Sequence, residues 1–241
     1  MSTAPERYET VRAALVYRGD GPKIKAMRER YARSEAGRRT FGDSPDRIWH
    51  PEPDSAFGWR CKIWRVDEHQ WRQELDLSDG EISILVSNGR IRPFGTPEGP
   101  AGSSEIWELR TLGSSRSEDP RWLTATDVFW TMYPFDPSGT AGIDGELRGM
   151  ELSVEEGVSW AGRDAVRLKG VLVEEWEYPP EPLWWGADEY EAVVDAERGV
   201  LLRLASRLGG EDIDALEVEE IHFDEPFGDE VFDSREPLSW S

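Results

Sequence analysis

The chain has 241 residues, with 49 acidic against 28 basic side chains and a formal charge of −21, a balance that repels nucleic-acid backbones and anionic membranes. Its one cysteine, Cys61, excludes an intramolecular disulfide, and no stretch reaches the length of a transmembrane helix. Met1–Tyr17 carries Glu6, Arg7, Glu9 and Arg12 among its apolar residues, with no secretory apolar core or small-residue cleavage site, so a cytoplasmic protein is expected.

The charge is uneven. Residues 1–50 hold eleven Lys/Arg against seven Asp/Glu, whereas 174–241 hold four against twenty-one. Pro5 opens an expected helix in which Tyr8, Val11, Ala14, Leu15 and Arg18 recur at three- and four-residue spacing, and Gly19-Asp-Gly-Pro22 ends it. Lys23–Arg39 reads as a second helix or an arm on the sheet, with Ile24, Met27 and Tyr31 as a thin apolar stripe and basic residues able to pair with the acidic C-terminal face. Residues 1–40 are thus expected to be helical, in front of an antiparallel sheet over 48–232.

Strand patterns follow at Phe57–Val66, His69–Leu77, Glu81–Ser87 and Arg90–Phe94. Asn88-Gly89 between the last two predicts a tight hairpin, because a type I′ turn needs positive φ at both central residues. In the first strand, Trp59, Cys61 and Ile63 share one face, and Trp64 and Val66 share the other. After a Gly/Pro/Ser loop comes the short, half-apolar Glu105–Leu112. Arg121–Pro134, with Trp122, Leu123, Val128, Phe129 and Trp130, predicts an inserted helix near 121–133 that Pro134 stops. Met150–Glu155, Val158–Ala161 and Ala165–Val173 are strands.

Tyr190–Val194 alternates apolar and polar residues, breaks at Asp195–Gly199 and resumes at Val200–Leu204, which predicts a hairpin whose turn uses the left-handed freedom of Gly199. Leu208-Gly-Gly-Glu211 is a second break. Beyond it Leu216 and Val218 hold one phase and Ile221 and Phe223 the other, which predicts a β-bulge. The segment reads as an antiparallel meander. No compositional shift is long enough for a linker, so a single domain over 1–241 is expected.

No catalytic signature stands out. His50, His69 and His222 are too scattered for a metal motif, and Asp43-x-x-Asp46 and Asp212-x-Asp214 lack the ligand count of a calcium loop. Gly139-Thr-Ala-Gly142 lacks the Lys-Ser/Thr of a phosphate loop. Gly157-Val-Ser-Trp-Ala161 lacks the closing glycine of a nucleophile elbow. Neither a metal nor a cofactor is expected.

Three stretches together resemble the lipoprotein-carrier (LolA/LolB-like) superfamily in its actinobacterial branch, over roughly 120–235. They are Ala161-Gly-Arg-Asp-Ala-Val-Arg-Leu168, Val194-Asp195-x-x-x-Gly199-Val-Leu-Leu-Arg203, and Glu217-x-x-x-Ile221-x-Phe223-x-Glu225 leading to Val231-Phe232. The resemblance implies an α+β fold: one large, strongly curved antiparallel sheet, a half-barrel of about eleven strands, with helices on its concave face. It also implies a hydrophobic cavity between sheet and helices that accepts an acyl chain or another apolar ligand.

The aromatic inventory, 12 Trp with 8 Phe and 6 Tyr, suits either a wide core or such a cavity. The cavity candidates are Trp64, Trp71, Trp107 and Trp122, together with Phe129, Trp130 and Trp176. Arg163 and Arg167 are candidate polar anchors. Trp184 and Trp185, adjacent after a Pro-rich loop, face opposite ways on an extended chain and are candidate lid or docking residues. Three readings stay open: a non-enzymatic binder of a hydrophobic ligand or lipid, an acidic inhibitor- or immunity-type module that docks a basic protein through 174–241, and an enzyme.

Overall fold

A computed structural model describes residues 8–41, 55–66, 70–77, 82–94, 102–112, 150–172, 186–233 and 237–238. β1 (Val11–Asp20) leads into α1 (Gly21–Arg33) and α2 (Glu35–Phe41). Then come β2 (Ala56–Arg65), β3 (Gln70–Leu77), β4 (Ile82–Phe94) and β5 (Gly102–Leu112). The remaining strands are β6 (Met150–Trp160), β7 (Arg163–Leu172), β8 (Glu189–Asp195), β9 (Leu201–Leu208) and β10 (Glu211–Phe223), followed by a 3-10 turn at Asp229–Phe232. Hydrogen bonding orders the ten described strands β5-β4-β3-β2-β1-β10-β9-β8-β7-β6. They form a single antiparallel sheet. The helix expected near 121–133 lies outside the described residues.

Two expectations are corrected. Val11–Asp20 is a strand and not a helix. Val11, Ala13, Leu15 and Tyr17 alternate as well as they repeat at helical spacing, and both Leu15 and Val16 are buried, as in a strand covered on both faces. Asn88-Gly89 is not a hairpin turn either. β3 pairs with β4 only as far as Asn88 (with Gln70), and against β5 the register jumps from Ser87–Trp107 to Ile91–Glu105, so the pair is absorbed into a bulge of one 13-residue strand.

The meander over β8–β10 is observed, with φ of 66° at Gly199 and a two-glycine turn at Gly209-Gly210. On β10 the register shifts between Asp212 and Asp214, earlier than the phase change at Val218–Ile221 suggests, and the β8–β9 pair shifts between Val193 and Val194. Buried Asp195 shapes the first turn. Its carboxylate accepts from the backbone of Glu197 (3.0 Å) and Arg198 (2.5 Å) and from the Arg163 guanidinium, which is thereby held above its usual pKa.

The chain packs as two compact units, one built from residues 1–15, 59–128 and 219–241, the other from 16–58 and 129–218. In the first, Cys61, Ile63, Trp64, Trp71, Leu75, Ile84 and Val86 form the core. Arg72, fully buried, bonds Glu74 (2.8 Å) and the carbonyls of Val231 (3.0 Å) and Asp233. The Leu238 N–H donates to Glu74 at 2.8 Å and Lys62 to the Leu238 carbonyl at 3.2 Å, so this buried ion pair clamps the C-terminal segment onto β3. A buried guanidinium is tolerable only when paired and hydrogen-bonded in this way.

In the second unit, Asp20 caps α1 by accepting from Lys23 N at 3.0 Å, Pro22 sits in its first turn, and Arg30 and Arg33 favour its last. Ile24 and Met27 are its buried stripe. Lys23 bonds Glu211 at 2.8 Å, at the start of β10. Arg30 reaches the Gly186 carbonyl (2.6 Å) and Asp188 (2.9 Å), at the start of β8. The expected pairing of the basic N-terminal stretch with the acidic C-terminal one is seen here. α1 therefore crosses one end of β8–β10.

Candidate functional site

The register of the second unit fixes what each sheet face carries, because successive side chains on a strand alternate and paired residues share a face. One row runs Glu155, Arg167, Val193, Arg203, Glu217 through β6–β10, and Glu191 and Arg207 lie beside it. Its charges interlock. Arg167 bonds Glu155 at 2.9 Å and lies 3.8 Å from Glu191, while Arg203 contacts Glu191, Asp212 and Glu217, the last at 3.1 Å. Arg18 on β1 closes on Glu217 at 2.9 Å, and Arg207 reaches Glu189 (2.8 Å) and Asp212 (3.1 Å). Trp160 covers the centre: the Arg203 guanidinium lies 5.4 Å from its ring, and its indole N–H donates to the Val218 carbonyl at 3.1 Å.

The opposite face carries a second row, Val154, Leu168, Ala192, Leu204, Leu216. Beside it Val166 pairs with Val194, and on the other side lie Leu152, Gly170, Tyr190, Ser206 and Asp214. With strands about 4.8 Å apart, the five-strand row is about 19 Å long. α1 covers the Tyr190 end. There Tyr31 of α1 stands near Tyr190, whose hydroxyl is pushed above its ordinary pKa mainly by burial. Burial also lowers the pKa of Arg28 on the same helix.

Toward β6 the apolar face is open, while the middle of the charged face is covered. On the charged face Val193, Arg203 and Glu191 are 0%, 5% and 7% exposed. On the apolar face Leu152 and Val154 are 42% and 61% exposed, and Val166, Leu168, Ala192, Val194 and Leu204 are half-buried. A half-open apolar strip beside a helix is a surface that can take up apolar matter. That is the candidate site.

Of the aromatic candidates, the side chains of Trp64 and Trp71 are described, and neither lies on this strip. Trp64 and Trp71 are buried in the other unit, on opposite sheet faces, since Trp64 pairs with Arg72 and Trp71 with Arg65. Trp107 lies on β5, with its side chain outside the described residues, and Trp122, Phe129, Trp130, Trp176, Trp184 and Trp185 lie outside them altogether. Arg163 and Arg167 stand in the charged network, Arg163 on Asp195 and Glu197 and Arg167 on Glu155 and Glu191.

The strip itself went unnoticed in the sequence. The signal was the alternation of Glu151, Ser153 and Glu155 with Leu152 and Val154, matched by Arg167 and Lys169 against Leu168. Much of the acidic excess of 174–241 is also paired internally, at Asp188, Glu189, Glu191, Asp195, Asp212 and Glu217 among others. Among the described residues no group of three His, Cys, Asp or Glu is placed to hold a metal ion, and no described helix is long and apolar enough to cross a membrane.

No family model and no curated protein matches the chain. Solved structures do. MucB matches at a TM-score of 0.44 and 14% identity over 95% of this chain and 58% of its own, and the MucA/MucB complex of Pseudomonas aeruginosa at 0.41 and 16% over 94% and 56%. The chain thus spans little more than half the length of the MucB chains it matches. A LolA superfamily protein of Nitrosomonas europaea, from the superfamily that the turn and strand motifs resemble, matches at 0.28 and 8% over 95% and 91%. Superpositions this loose assign neither an activity nor a ligand.

Proposed function

We propose that the protein is a non-enzymatic binding module that seats an apolar or amphipathic ligand on the Val154–Leu168–Ala192–Leu204 strip beside α1. The exposed aliphatic residues carry this reading: the Arg203–Glu191 pair is buried on one face, while on the other Leu152 and Val154 stand open and Leu168, Ala192 and Leu204 are half-buried. Covering what Leu152 and Val154 leave exposed is worth about one full aliphatic side chain, roughly 2 kcal/mol, before the half-buried neighbours are counted. The open part of the row, Val154 to Leu204 over four strands, is about 14 Å long, enough to lay the middle of an extended chain across the strands.

The test is uptake of a fluorescent long-chain fatty acid by the full chain, with native mass spectrometry of the purified protein for any co-purifying apolar molecule. The expected result is saturable uptake, lost in Ala192→Glu and weakened in Val154→Asp, with the circular dichroism of both variants unchanged. Absence of uptake, or equal uptake by Ala192→Glu, refutes the reading.

A further inference from the structure

β6 ends the sheet. Among the described residues it has β7 on one side and no strand on the other. Glu151–Gly157 are all exposed, which few strands of a folded sheet tolerate over seven consecutive residues. The pairing with β7 is regular over six residues, from Met150–Leu172 to Glu155–Arg167, and then shifts at a bulge in which Gly157 has φ of 73°. The regularly paired, open stretch is thus Met150–Glu155.

Its two faces are written differently. Glu151, Ser153 and Glu155 point to the charged side, and Leu152 and Val154 to the apolar side. Glu155 already meets Arg167 at 2.9 Å, whereas Glu151 has no ion-pair partner among the described residues. An exposed edge presents a row of backbone donors and acceptors, which is the template that strand addition uses. Opposite-charge pairs directly across two strands are favourable and like-charge pairs are not.

We propose that the outer edge of β6, Met150–Glu155, receives an extended segment of a partner protein by strand addition, the segment carrying basic residues opposite Glu151 and Glu155 and apolar residues opposite Leu152 and Val154. A second copy of this chain fits badly. Antiparallel pairing of two β6 edges about Ser153 sets Glu151 of each copy against Glu155 of the other. The same two carboxylates therefore repel self-association and select the partner. This site shares Leu152 and Val154 with the rim of the proposed ligand strip, but its contacts are those of the β6 backbone, so the two are separable at Ala192 in the middle of the strip.

The probe is a fluorescein-labelled peptide Gly-Lys-Val-Ser-Val-Lys-Gly, compared by anisotropy with its twin carrying Glu in place of both Lys, alongside amide exchange of the full chain. The Lys peptide saturates and slows exchange at 150–155, and the Glu peptide binds about tenfold more weakly, as two cross-strand charge pairs turn from attractive to repulsive. Glu151→Lys/Glu155→Lys reverses the preference. Should that variant misfold, Glu151→Lys alone, at an exposed unpaired position, moves the preference part of the way.

Ala192→Glu, which removes fatty-acid uptake, leaves peptide binding intact, so the two readings fail separately. Equal binding of both peptides, no saturable binding, or protection away from β6 overturns the proposal. So does protection of 150–155 by concentration alone, which would make the edge a contact between copies.

Discussion

Replacing Arg203 by methionine removes the cation that holds three carboxylates on the charged face. Asp212 is half exposed and keeps Arg207 at 3.1 Å, and Glu217 keeps Arg18 at 2.9 Å. Glu191 is the one stranded. It is 7% exposed, and its remaining cations, Arg207 at 3.5 Å and Arg167 at 3.8 Å, are beyond good hydrogen-bonding reach. The loss is therefore that of one buried carboxylate whose partner has gone, about 3 kcal/mol, the low end for a broken buried pair. With a urea dependence of about 3 kcal/mol per molar, the midpoint falls by about 1 M. The Arg203→Met/Glu191→Leu double replacement removes the stranded charge as well, and its cost drops below about 1 kcal/mol. Urea titration by far-UV circular dichroism, with amide exchange over 189–217 to locate the change, reads both. A single variant within about 0.2 M of the parent, or a double variant no better than the single, would refute the reasoning.

Cys61, buried and with its thiol pushed well above the usual range chiefly by that burial, reacts with a thiol reagent only after denaturation, and rapid labelling of the native protein contradicts this. The Asp188 carboxyl is held below its ordinary pKa, first by the Gly209 N–H and then by Arg30. A lowered folded-state pKa gives stability that is present above about pH 4 and lost as the pH falls through the folded value, so Asp188→Asn has a shallower acid limb below about pH 4, read by thermal midpoints; parallel limbs would rule this out. Arg72→Met releases the carbonyls of Val231 and Asp233, and cleavage within 229–238 in limited proteolysis becomes about ten times faster; an unchanged rate speaks against the clamp.

The β8–β10 meander was legible because its signals are local: alternation over a few residues and glycines where the backbone must turn left-handed. β2, β3 and the first half of β4 were read for the same reason. Val11–Arg18 was misread because eight residues satisfy both periods, and only the neighbours on either side decide between them. Asn88-Gly89 has the composition of a tight turn, yet pairing with β5 resumes at Ile91–Glu105 and carries the strand onward. Partner strands overrode the turn preference.

The candidate site was harder to see because a face exists only once strands are paired. Leu168 and Ala192 become neighbours through register and not through any spacing along the chain. Tryptophan abundance names no one face, as Trp64 and Trp71 show. Both are buried, but adjacent strands in that register send them to opposite faces.

The first unit is discontinuous. Thr10 donates its hydroxyl to the Glu225 carbonyl at 2.6 Å and accepts at its own carbonyl from Asp224 N at 2.9 Å, while Arg72 waits for Val231 and Asp233. Every residue of the second unit, through Val218, is made before residues 219–238 exist. At about 5–20 residues per second, that order leaves an interval of roughly one to four seconds in which the second unit has its full set of strands and the first does not. During vectorial synthesis, the unit whose sequence begins first is completed last, and until then Arg72 and Glu74 lack the backbone groups of Val231, Asp233 and Leu238 that satisfy them in the fold.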